Sequence, residues 1–151
     1  MQSSFIDVPG GKIHCLTFGT GPELLIALHG FSDRARMFAV LEPAVAKNYT
    51  VVAVDWPFHG QTHWKSNTFS KEDLLGILQQ VLTVHGKERF TLMGFSFGAR
   101  LAQALHQLLQ QPGAGGVHRL DLRAVGHHPV SYPHPRAHDT VLALVCRLML
   151  V

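Results

Sequence analysis

Charge and cysteine are both scarce in this chain. Only 15% of its residues are Asp, Glu, Lys or Arg, and the formal net charge is +3. No run of Lys or Arg is present, so nothing marks a nucleic-acid partner. The start, "MQSSFIDVPGG", has neither a basic segment nor an apolar core, so it does not read as an export signal. The longest apolar run, "VLALVCRLMLV" at 141–151, is too short to cross a bilayer and contains Arg147. The expectation is a cytoplasmic protein with no membrane partner. The two cysteines, Cys15 and Cys146, lie far apart in sequence and are expected to be reduced thiols.

What the chain does have is apolar order. At 151 residues and 46% hydrophobic, it suits one globular domain. Lys12 to Phe18 reads as a strand between the turns "PGG" and "GTGP". Leu24 to Leu28 is continuously apolar, as in a strand covered on both faces. A helical stretch follows from about Arg34 to Lys47, with Met37, Phe38 and Leu41 on one face and Pro43 breaking or restarting it. Thr50 to Asp55 is another buried strand, followed by the turn-rich loop "WPFHGQTHW". Ser70 and Asp73 have the spacing of a capping box. They open a helix with Leu74, Leu78, Val81 and Leu82 on one face, ended by His85 and Gly86. Phe90 to Met93 is a last strand, and the helix after it runs to about Gln111.

Strands alternating with helices predict an α/β fold, a mostly parallel sheet with flanking helices. In such sheets sites form at the carboxyl ends of strands. Three strands end in distinctive residues: His29-Gly30-Phe31, the loop after Asp55, and Ser96. In "TLMGFSFGAR" a serine sits between Gly94 and Gly98, directly between strand and helix. So sharp a bend forces strained backbone at the serine and demands small neighbours. It also lifts the hydroxyl above the sheet beside a helix N-terminus.

Taken together, "LLIALHGFSDR", "VVAVDWPFHGQT" and "LMGFSFGA" resemble the α/β-hydrolase superfamily in order and separation over residues 5–111. The resemblance implies an α/β-hydrolase type of fold, truncated, with Ser96 as nucleophile. It implies an oxyanion hole built from the backbone N–H groups of Phe31 and Phe97. His29, Gly30, Asp55, His59, Gly60, Gly94 and Gly98 would be motif residues that fix loop geometry. A serine at the elbow points away from relatives that use Asp there, such as haloalkane dehalogenases and epoxide hydrolases. The implied substrate is a small acyl compound, whether ester, thioester, amide or activated C–C bond, with no cofactor and no metal. Trp56, Phe58 and Trp64 either line an acyl pocket or simply pack.

The family places an acid and then a histidine after the serine. Residues 1–111 read as the N-terminal half of such a domain, and 112–151 as an atypical tail. The tail contains no Lys, Glu, Asn, Gln, Ile, Phe or Trp. It is expected to be out-of-frame translation, or disordered, or else a divergent natural terminus. Asp121 followed by His127, His128, His134 and His138 has the formal order of a triad without room for the intervening strands. His134 and His138 have a helical metal spacing, but Pro133 and Pro135 argue against a helix. In the family the elbow strand pairs with a further, apolar strand that the tail does not offer, so Phe90 to Gly94 would be an exposed edge, inviting self-association. The alternative to a serine hydrolase is a catalytically incompetent fragment or a non-enzymatic binding module.

Overall fold

The computed structural model describes residues 1–110 and two further strands, 119–123 and 143–149. The strands are β1 (Gln2–Val8), β2 (Gly11–Phe18), β3 (Glu23–Leu28), β4 (Tyr49–Val54), β5 (His63–Trp64), β6 (Arg89–Phe95), β7 (Arg119–Arg123) and β8 (Ala143–Met149). The helices are a 3-10 helix (Ala35–Leu41), α1 (Glu42–Val45), α2 (Lys71–His85) and α3 (Phe97–Leu109). All strands join one sheet in the order β1-β2-β4-β3-β6-β8-β7, with β5 paired to β2.

The sheet is mixed. Its centre, β4-β3-β6, is parallel. Each of these strands is apolar on both faces because both faces are covered. Leu24, Ile26 and Leu28 face a core shared with α2 and α3, whereas Leu25 and Ala27 face a second core with Ala35 and Phe38 of the 3-10 helix. The remaining pairings are antiparallel.

Local chemistry sets the helix boundaries. The Ser70 Oγ accepts from the Asp73 N–H at 3.1 Å, and the Ser70 N–H donates to the Asp73 carboxylate at 2.8 Å, which completes the capping box. Gly86 ends α2 at φ 58°, in the left-handed region. The stretch expected as one helix over 34–47 divides into the 3-10 helix and α1. Pro43 lies in the first turn of α1, where its missing N–H has no intrahelical acceptor to lose.

One expectation is corrected. Phe90 to Gly94 is not an exposed edge: β8 pairs with β6 along its whole length, from Arg89↔Met149 to Phe95↔Ala143. An antiparallel strand can satisfy the open edge of a parallel one, an arrangement the family pattern does not suggest. The segment that interleaves Arg119, Asp121 and Arg123 with leucines becomes the outermost strand, β7. Period-two alternation suits an edge strand far better than a doubly buried one. Among the described residues, no helix is long and apolar enough to cross a membrane.

Candidate active site

Register brings the three motifs together. Leu28 pairs with Val54 on one side and with Gly94 on the other. His29, Asp55 and Ser96 therefore emerge at the same carboxyl edge of adjacent parallel strands.

Ser96 joins β6 to α3 with φ 52° and ψ −113°. Positive φ is strained for a serine and costs about 1–3 kcal/mol. The turn closes only because its neighbours lack side chains. A β-carbon on Gly94 would come within 2.5 Å of the Gly98 carbonyl carbon, and one on Gly98 would overlap the Leu28 carbonyl. Ser96 is exposed, and Phe97 is the first residue of α3, so its N–H has no intrahelical acceptor. No side chain among the described residues hydrogen-bonds the Ser96 hydroxyl.

The loop after β3 is held from several directions. His29 is fully buried; its Nδ1 donates to the Gly30 carbonyl at 2.7 Å, and its Nε2 accepts from the Trp56 N–H at 3.4 Å. That pattern fixes a neutral imidazole. Burial pushes its pKa below the usual histidine value, outweighing the Gly30 bond and the Asp55 charge. His59 reaches across with Nε2 on the Phe31 carbonyl at 2.5 Å and Nδ1 on the Pro57 carbonyl at 3.0 Å. Phe31, 70% exposed, stands edge-on to His59 and Phe97 with ring centroids 5.7 and 6.0 Å apart. Gly30 is buried, and a β-carbon there would come within 2.9 Å of an Asp33 carboxylate oxygen and 3.3 Å of the Phe95 ring.

Asp55 is the anchor of this edge. Its buried carboxylate accepts from the Ala35 N–H at 2.5 Å, the Gln61 N–H at 3.0 Å and His14 Nδ1 at 2.7 Å. Burial alone would raise its pKa, but these donors together hold it below the usual carboxylate range. Gly60, at φ 54°, leaves room for that carboxylate, which any side chain there would overlap.

The aromatic residues divide. Trp56 is buried in the core, and Trp64 packs against that core while donating Nε1 to the Thr68 carbonyl at 2.8 Å. Phe58 is exposed at φ 69°. Asp121 lies in β7, opposite Arg147 in register, and His127, His128, His134 and His138 fall outside the described residues. Among the described residues no three His, Cys, Asp or Glu side chains cluster as a metal site. His14 was not singled out from sequence. Its role depends on Asp55, far along the chain, so no local motif could reveal it.

Comparison with known proteins gives a consistent result. The family model for the alpha/beta hydrolase fold matches residues 23–125. A 2-hydroxy-6-oxononadienedioate/2-hydroxy-6-oxononatrienedioate hydrolase from Cupriavidus pinatubonensis is 35% identical over 111 residues, covering 68% of this chain and 38% of that protein. A fluoroacetate dehalogenase from Burkholderia sp is 32% identical over 104 residues, covering 66% of this chain and 34% of its own. In fold, the naproxen esterase of Bacillus subtilis superposes with a TM-score of 0.64 at 22% identity, covering 72% of this chain and 38% of that one. The chain thus spans about a third of the length of the curated relatives it matches.

Proposed function

Given that the chain belongs to the alpha/beta hydrolase fold family, we propose that it carries the nucleophile and oxyanion elements of a serine hydrolase acting on small acyl substrates. One observation supports this most: an exposed Ser96 held at positive φ, followed directly by the free N–H of Phe97. Ser96 Oγ would attack a carbonyl carbon. The Phe97 and Phe31 N–H groups would stabilise the negative oxygen that results. His29, His59 and Asp55 would position the loop, since their polar atoms are already engaged by backbone groups and by one another.

The identity of the nucleophile narrows the chemistry within a family whose members include a dehalogenase and an esterase. Serine attack on a halogen-bearing or epoxide carbon would leave an ether, which water does not cleave. Attack on a carbonyl leaves an ester, which water does cleave. Carbonyl compounds, including oxo acids such as the one that names the Cupriavidus relative, are therefore the proposed substrates. The chemistry uses no cofactor.

The second reading is a fragment or binding module without turnover. It is favoured by the lack of any side chain on the Ser96 hydroxyl among the described residues. A serine without a base attacks slowly, although an oxyanion hole alone leaves about 10³–10⁴-fold catalysis over water. Fluorophosphonate labelling, followed by peptide mapping, separates the two. A phosphonyl adduct on Ser96 together with Ser96-dependent hydrolysis of p-nitrophenyl acetate supports the hydrolase. Folded protein with no adduct at Ser96 supports the binding module.

A further inference from the structure

A second serine, on the end strand β1, is wired to an acid and a base. Ser3 Oγ lies 2.8 Å from His14 Nε2, and His14 Nδ1 lies 2.7 Å from Asp55 Oδ2. The Asp55 carboxylate only accepts, so His14 Nδ1 carries the proton, and the Nε2 lone pair faces the Ser3 hydroxyl. His14 and Asp55 are buried, whereas Ser3 is exposed on β1. The base is thus shielded and oriented while the hydroxyl remains reachable.

The surroundings suit an acyl group. Phe5, two residues further along β1 and on the same face as Ser3, is 46% exposed. Its ring lies 5.3 Å from that of His14 and stacks on His63 at 5.9 Å, an apolar platform beside the hydroxyl. Among the described strands β1 pairs only with β2, so N–H groups along its outer side have no sheet acceptor and can meet a developing oxyanion.

We propose that Ser3, His14 and Asp55 form a second nucleophilic site that takes small activated acyl or phosphonyl compounds, independently of Ser96. Ser3 Oγ bonds to the acyl carbon as the bond to the leaving oxygen breaks. The Ser3 proton passes to His14 Nε2 and from there to the leaving oxygen. Water, deprotonated in turn by His14, then releases the acid and restores Ser3. The groups facing the His14 ring are Asp55, Ser3 and Phe5, with His63 beyond the Phe5 ring, and the His14 backbone N–H donates to the Thr62 hydroxyl at 2.9 Å.

The test is fluorophosphonate labelling of the Ser96→Ala chain, read by peptide mapping. The fluoride leaves, and a phosphonyl adduct on Ser3 is expected. It should be absent from Ser3→Ala/Ser96→Ala, absent after unfolding in urea, and formed about a hundredfold or more slowly in His14→Gln/Ser96→Ala. The Ser3 peptide of the unaltered chain should carry the same adduct, so the result does not depend on any variant folding. No adduct at Ser3 in the folded unaltered chain overturns the proposal, as does an adduct rate that His14→Gln leaves unchanged. Because the two serines map to different peptides, loss of one site is read separately from loss of the other.

Discussion

Gly98, in the first turn of α3, lies against the backbone of β3, so that a β-carbon on it would overlap the Leu28 carbonyl oxygen and come within 2.7 Å of that of His29. The helix that follows Ser96 is thereby pressed onto the strand that leads into the His29–Phe31 loop. Neither contacting group is a flexible side chain that could swing away.

Gly98→Ala is therefore expected to destabilise the fold. Overpacking typically costs about 1–3 kcal/mol, more than the roughly 1 kcal/mol that alanine gains over glycine in a helix. Urea denaturation monitored by circular dichroism checks this. The same substitution in α2 is the counter-case, because nothing lies within 4 Å of a β-carbon on Gly76. Gly76→Ala should stabilise by about 0.5–1 kcal/mol, and equal effects at the two glycines would contradict the packing described.

Acid should weaken the protein through His29. Its folded pKa lies below the ordinary value of 6.5, so below that pH the unfolded chain binds a proton that folded His29 refuses. Stability present above 6.5 is then lost progressively as the pH falls toward the folded pKa. Burial lowers His85 and His106 in the same direction, so each adds to the slope. Urea midpoints measured between roughly pH 5 and 8 should fall on acidification, and less steeply in His29→Gln.

Cys15 should be chemically silent. Burial, helped by the Asp55 charge, pushes its thiol up to about 12, and alkylating reagents attack the thiolate. Iodoacetamide at neutral pH should leave the Cys15 peptide unmodified in native protein and modify it fully in denaturant. Modification at the same rate in both states would show that β2 is not packed as described.

Parts of this architecture were open to reading from the sequence because their causes are local. The Ser70–Asp73 capping box, the left-handed Gly86 and the Gly94–Ser96–Gly98 elbow each depend on a few adjacent residues. The parallel centre was legible from unbroken apolar runs. Strand β1 was not: Ile6 is its single fully buried residue, and the serines and Asp7 around it read as polar. Nor was β8, whose place is set by the unpaired side of β6 rather than by its own composition. His14 was hidden for the same reason. A histidine within "KIHCLTF" carries no motif, and only the fold brings it to Asp55.

The positive φ of Ser96 has one more consequence. Glycine adopts that conformation without strain, so Ser96→Gly should raise stability by relieving part of the cost of about 1–3 kcal/mol. Under the proposed function, endurance and reactivity then pull in opposite directions at a single residue. A library of variants selected only for resistance to heat should drift toward glycine at position 96, and that single change would remove the hydroxyl proposed as the nucleophile.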